Sequence, residues 1–194
     1  MDNYILIGLP NCGKSTLGRR AAEILGVDFY DTDVLARERA EGKRRFVPMS
    51  MAFAAAFTEE EENVVVELAR NAQRSVIATG SGTPLGAFNA YILKKMGIIV
   101  YIERDPDVII ADMRENKRPS LILEHTETHE TINMREFAVT QYAENCPDYE
   151  AIADVVLDNN GGEDAGVEKL VKIIEKYESQ RKSSKQKNMR ECHP

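Results

Sequence analysis

The sequence predicts an α/β fold, a mostly parallel sheet with helices on both faces. Three observations point there. Short, continuously apolar runs at Tyr4–Ile7, Ser75–Thr79 and Gly97–Ile102 read as strands buried on both sides. Stretches of helical character separate them, which is the alternation that builds parallel sheets. The first run passes into a glycine-rich loop, Gly8 to Thr16, that opens a helix through Leu17, Ala21, Ala22 and Leu25. A length of 194 residues, 43% of them apolar, suits one domain with a substantial core.

Gly8-Leu9-Pro10-Asn11-Cys12-Gly13-Lys14-Ser15-Thr16 fits the phosphate-loop pattern G-x-x-x-x-G-K-[ST] in the strand–loop–helix setting that pattern requires. Gly8 and Gly13 let the backbone curl so that its N–H groups point at phosphate oxygens, and the helix adds the positive end of its dipole. Lys14 is expected to reach the β- and γ-phosphates of ATP and Ser15 to ligate Mg²⁺, while Asn11, Cys12 and Thr16 complete the nucleotide seat. The Cys12 side chain is expected on the outside of the loop, with no catalytic part, because phosphoryl transfer needs no protein nucleophile.

Composition narrows the partners. A net charge of −7 and a pI near 5.1 exclude the basic face that general nucleic-acid binding demands. Cys12, Cys146 and Cys192 follow no metal-ligand spacing and read as free thiols of a reducing compartment. The N-terminus enters the first strand almost at once and no stretch is long enough to span a membrane, so a cytoplasmic location is expected.

Along the chain, Val27–Tyr30 reads as a second strand ending at Asp31, residues 33–46 as a helix, and Met49–Leu68 as a helix despite the trio Val64-Val65-Val66. A short helix follows Gly80-Ser81-Gly82-Thr83-Pro84, and Pro106 starts another after the fourth strand. Residues 118–147 are polar, with a helix near 131–145; His125 and His129 there have a metal-pair spacing but no third ligand, so a solvated lid is expected. Asp154–Asp158 reads as the last strand, Asn159–Gly162 as a turn and Gly166–Tyr177 as the closing helix. The domain is expected to span residues 1–178, and the charged segment 179–194 to be disordered.

In an open parallel sheet, ligands gather beyond the carboxyl ends of the strands. Those ends bring together the phosphate loop, Asp31-Thr32-Asp33, Gly80-Ser81-Gly82 and Glu103-Arg104. If the strand pattern persists through Asp31 and Asp33, both side chains point into the cleft, one toward Mg²⁺ and one toward an acceptor hydroxyl; the other reading is helix capping. Arg114 and Arg118 stand before the polar stretch, where a lid arginine would supply positive charge and exclude water; solvated arginines are the alternative.

The order of motifs resembles the shikimate kinase family, within the nucleoside-monophosphate-kinase-like phosphate-loop proteins, over roughly residues 3–177. The resemblance rests on the phosphate loop, Asp31-Thr32-Asp33, the glycine motif at 80–82, Arg118-Pro119, and Pro147-x-Tyr149-x-x-x-Ala153-Asp154. It implies a three-layer P-loop kinase fold with a five-stranded parallel sheet of order 2-3-1-4-5, substrate-binding helices at about 33–70, a lid at about 115–145, and a monomer. By resemblance, Asp31 lies near Mg²⁺, Asp33 binds the ring hydroxyls of shikimate, and Gly80, Ser81 and Gly82 line the substrate. Arg118 is similar to the lid arginine, Arg114 to the one packing on adenine, and Asp158–Gly161 to the loop beside the base.

Departures fall on the acceptor side. The family motif F-R-x-x-E appears here as Phe57-Thr58-Glu59-Glu60-Glu61, so Thr58 replaces an arginine that grips the substrate carboxylate while Glu61 is kept. Asn145 stands where a second such arginine is expected, Ser81 replaces the middle glycine, and the lid is longer. Arg44, Arg45 and Arg135 are the candidates to compensate. Each lost charge-assisted grip is worth roughly 1.5–3 kcal/mol. The expectation is ATP-dependent phosphoryl transfer to a hydroxyl of a small metabolite. A kinase for a non-shikimate polyol or sugar, and a catalytically silent nucleotide-binding protein, are the alternatives.

Overall fold

A computed structural model describes residues 2–43, 51–115 and 134–191, with side chains over 2–40, 59–112 and 139–184. Five strands, β1 (Asn3–Ile7), β2 (Asp28–Asp31), β3 (Ser75–Ala78), β4 (Gly97–Glu103) and β5 (Val155–Asp158), form one parallel sheet of order β2-β3-β1-β4-β5. This is the P-loop kinase order that the family resemblance implied. The helices are α1 (Lys14–Leu25), α2 (Thr32–Lys43), α3 (Met51–Asn71), α4 (Ala87–Met96), α5 (Pro106–Glu115), α6 (Met134–Ile152) and α7 (Glu163–Glu191), with a 3₁₀ turn at Thr83–Leu85.

The apolar runs behave as continuous hydrophobicity dictates. All of β1 and β3 is buried, as it must be in a sheet with helices on both faces. Tyr4–Ile7, Leu17, Ala21, Ile99–Ile102, Leu157 and Leu170 belong to one core cluster. A second cluster joins Ile77 to Ala36, Val64, Leu68 and Ala72, so the valine trio sits in a helix whose four-residue spacing faces β3.

Three sequence expectations need correction. The closing helix runs from Glu163 to Glu191, not from Gly166 to Tyr177, so residues 179–191 are helical where disorder was expected. Its middle is tied to the residue before β1: Asp2 N–H donates to Glu178 Oε1 at 2.9 Å and Arg181 pairs with Asp2 at 2.6 Å. Lysine, glutamine and arginine are good helix formers once such docking is available. Next, α6 continues through Pro147 to Ile152 instead of ending near 145. The turn beyond the proline is anchored by Tyr149, which is fully buried. Third, β2 ends at Asp31 and α2 begins at Thr32, so Asp31 and Asp33 do not share a strand. No helix among the described residues is long and apolar enough to cross a membrane.

Candidate active site

The phosphate loop runs from the end of β1 into α1. Gly8 has φ 141° and Gly13 φ 107°, a region that L side chains avoid. A Cβ on Gly8 would also meet Ile102 O at 2.6 Å. Asn11 is left-handed at φ 59°, a conformation asparagine tolerates better than most residues. Gly13 caps α1 without a side-chain partner, and no acidic residue lies in the first turn. The first amides of the helix therefore face a ligand with their positive dipole end unopposed. Lys14 is buried, and its Nζ donates to Gly8 O and Leu9 O, each at 2.8 Å. Ser15 is exposed and Thr16 half-buried at the same helix start. The glycine backbone, buried cation and open helix terminus make a cradle that fits a nucleotide's phosphates.

Cys12 does not face the exterior of the loop. It is fully buried in the core, with its Sγ 3.9 Å from Lys14 Nζ, because the curl that turns the loop amides outward turns this side chain in. Cys146 is likewise buried and free, accepting the Tyr101 O–H at 2.9 Å.

The residues expected on the acceptor side lie at the ends of β2 and β3. Asp31 Oδ1 accepts the N–H groups of Asp33 at 3.1 Å and Val34 at 3.3 Å, so this carboxylate caps α2. The cap sets the first turn of α2, and Asp33 on that turn reaches Gly80. A Cβ on Gly80 would overlap Asp33 Oδ1 and lie 2.9 Å from both Glu61 Oε1 and Thr83 Oγ1. Three oxygens from α2, α3 and the 3₁₀ turn thus converge on one backbone position. Thr32 Oγ1 accepts the Gly80 N–H at 3.0 Å, Thr83 donates to Glu61 at 2.8 Å, and Tyr149 donates to Ser81 O at 2.8 Å. Gly82 is exposed beside them.

Burial pushes the Asp33 carboxyl above its usual range, against the lowering pull of the Lys14 charge; Asp31 adds to the rise and Arg37 opposes it. Burial likewise raises Glu61, opposed by the Thr83 hydrogen bond and reinforced by the charges of Asp33 and Glu62. Two carboxylates with heightened proton affinity beside a buried ammonium form a strong hydrogen-bond-accepting face.

Other expected positions are less directly placed. Asn145 is half-buried on α6, its Nδ2 donating to Gln141 Oε1 at 3.0 Å. Asp158 is exposed and engaged with its neighbours: Lys169 Nζ donates to it at 2.8 Å and Asn160 N–H at 3.2 Å. These bonds, Lys169 first, lower its carboxyl. The side chains of Thr58, Arg114 and Arg135 lie outside the described residues, as do Arg44, Arg45, Arg118, His125 and His129 entirely. Sequence reasoning missed Thr83 as a site residue, and it placed Arg104 at a strand end around the cleft and Asn159 in the loop beside the base without foreseeing that either bonds to the phosphate loop. Arg104 and Asn159 are buried at the ends of β4 and β5 and bond to loop carbonyls from sequence separations of 93 and 147 residues. Their one sequence signal is position, since both follow directly on an apolar strand.

Comparison with known proteins agrees with this geometry. A family profile described as Shikimate kinase matches residues 10–175. The chain is 35% identical to the shikimate kinase of Actinobacillus pleuropneumoniae serotype 5b, over 80% of its own length and 84% of the relative's. It is 32% identical to the shikimate kinase of Clostridium botulinum strain 657, over 91% and 96% of the two chains. Among solved structures, a shikimate kinase from Acinetobacter baumannii in complex with shikimate superposes with a TM-score of 0.72 at 25% identity, covering 93% of this chain and 94% of that one.

Proposed function

Because this chain belongs to the shikimate kinase family, whose members transfer phosphoryl groups to a hydroxyl of a small metabolite, we propose that it moves the terminal phosphoryl of ATP onto a ring hydroxyl of a shikimate-like polyol. The observation that carries the reading is the convergence of Asp33, Glu61 and Thr83 oxygens at Gly80, on the same cleft as the Lys14 cradle. In this reading the nucleotide rests on Gly8, Asn11, Cys12, Gly13, Lys14, Ser15 and Thr16, with Arg114 and Asp158 flanking the base. Ser15 would hold Mg²⁺ directly, and Asp31, whose Oδ1 already accepts two amides of α2, would help to hold it through water. Mg²⁺ held there would supply charge neutralisation for the phosphates.

Asp33 accepts the hydrogen bond, then the proton, of the attacking hydroxyl. Its raised proton affinity brings it nearer the range in which a carboxylate works as a general base. Lys14 supplies positive charge at the transferring group, and Arg118 adds to it on the strength of its motif alone. Glu61 orients Thr83, and Gly80, Ser81 and Gly82 line the ring, with open space beside Gly82.

A second reading is supported by Thr58 and by Asn145, whose amide is turned to Gln141: the acceptor is a neutral polyol or sugar without the carboxylate that two arginines would grip. A panel measuring acceptor-dependent ADP release with shikimate, gluconate, neutral polyols and nucleosides separates the two. Turnover on shikimate at ordinary kinase rates supports the first reading, and turnover on neutral polyols alone the second. Nucleotide binding with no turnover on any acceptor overturns the kinase reading in favour of a silent nucleotide-binding protein.

A further inference from the structure

Two buried polar side chains approach the phosphate loop from behind. Asn159, at the end of β5, is 3% exposed; its own N–H donates to Glu103 O at 2.8 Å and its Nδ2 donates to Cys12 O at 2.8 Å. Arg104, just after β4, is 9% exposed; Nη1 donates to Asn11 O at 3.4 Å and Nη2 to Asp112 on α5. Among the described residues, Asn159 Oδ1 and Arg104 Nε have no partner. Each of these buried side chains aims a donor at a loop carbonyl.

The space for Asn159 is specific. A Cβ on Gly13 would lie 2.7 Å from its Nδ2, and a Cβ on Gly166 of α7 would overlap its Oδ1. Two glycines from separate elements thus leave a slot shaped to this amide. In a trans peptide the C=O of one residue and the N–H of the next point in opposite directions. Holding Cys12 C=O back toward Asn159 therefore turns the Gly13 N–H away from β5. Holding Asn11 C=O toward Arg104 steadies a residue in the left-handed region, φ 59°, which few residues other than glycine and asparagine adopt.

We propose that Asn159 and Arg104 are positioning residues that brace the phosphate loop for the nucleotide, Asn159 by orienting the Gly13 amide and Arg104 by linking the Asn11 peptide to α5. The inference rests on the loop being the nucleotide seat. Its action is preorganisation: the loop amides are already aimed, so less ordering is left for binding to supply.

Calorimetric titration of the full chain with MgADP tests this without any acceptor, alongside thermal unfolding of each variant. Asn159→Ala is expected to weaken MgADP about ten-fold, within the range for one buried hydrogen bond, and to raise KM for ATP by a similar factor while kcat and acceptor KM change little. Arg104→Ala should weaken MgADP roughly three-fold, with Arg104→Lys recovering part of the loss. Gly166→Ala, whose Cβ would overlap Asn159 Oδ1 and lie 2.9 Å from Leu17 Cδ2, should also weaken MgADP, and with its thermal unfolding measured alongside it carries the test if Asn159→Ala fails to fold. Folded variants that bind MgADP as tightly as wild type overturn the brace alone. A wild-type chain that does not bind MgADP overturns the nucleotide reading itself, and the brace with it.

Discussion

The phosphate loop ties down four of its own carbonyls, whereas the acceptor side crowds two carboxylates around one glycine. Gly8 O and Leu9 O accept from Lys14, Asn11 O from Arg104 and Cys12 O from Asn159. At Gly80 the Asp33 and Glu61 carboxylates meet, each driven up by burial. The donor half presents backbone, shaped by Gly8 and Gly13 and held by the Lys14, Arg104 and Asn159 side chains. The acceptor half is a side-chain device assembled from α2, α3, α6 and the 3₁₀ turn, and it is where substrate identity is free to change.

The largest expected effects break the two halves separately. Lys14→Ala should lower kcat by about 10²–10³-fold or more, as loss of a main electrostatic stabiliser does, and should weaken MgADP as well. Asp33→Asn should lower turnover by roughly 10²–10⁴-fold, the span of general-base catalysis, yet leave MgADP affinity within about two-fold. Steady-state rates together with nucleotide titration check both. If Asp33→Asn loses nucleotide binding to the same degree as turnover, the division into a donor half and an acceptor half is wrong.

A smaller effect sharpens the acceptor half. Installing the family's arginines, Thr58→Arg and Asn145→Arg, should lower KM for shikimate by roughly ten- to hundred-fold for each grip restored, following the strength of charge-assisted hydrogen bonds. Neutral polyols should gain nothing. An unchanged shikimate KM in both variants would mean that another cation of the native chain already holds the carboxylate, and the neutral-acceptor reading would lose its support.

What was legible in the sequence follows the same division. The strands were readable because parallel strands buried on both faces are apolar throughout, and the loop because its geometry is local and spelled by Gly8, Gly13 and Lys14. The sheet order came through the family resemblance, since apolar runs alone do not say which strands are neighbours. Asp31 was found but its capping role was one of two open readings, decided by whether the strand ended at Asp31 or ran on through Asp33. Cys12 was placed on the wrong side of the loop because a motif does not reveal which way the curl turns each side chain. The extension of α7 was missed because it depends on Asp2, at the other end of the chain. The bonds of Arg104 and Asn159 to the phosphate loop were missed for the same reason, their partners lying far off in sequence.

The smallest predicted effect tests whether crowding at Gly80 is a stability cost carried for function. A carboxyl whose folded pKa is raised binds its proton more tightly in the native state than in the unfolded chain. Ionised Asp33 and Glu61 therefore cost stability at pH above their folded values, and that cost fades as pH falls through them toward the ordinary carboxylate range. Glu61→Gln removes one of the two charges and keeps an oxygen to accept the Thr83 hydroxyl. At pH 8 the variant should be more stable by on the order of 1 kcal/mol, about 2–4 °C in Tm for a chain of this size. The gain should shrink to nothing in unfolding scans near pH 4, where both states are largely protonated. A gain of equal size at both pH values would mean that packing, not charge, is responsible. A loss at pH 8 would mean that the ionised Glu61 is better compensated than its burial implies, and the contrast between a braced donor half and a strained acceptor half would not hold.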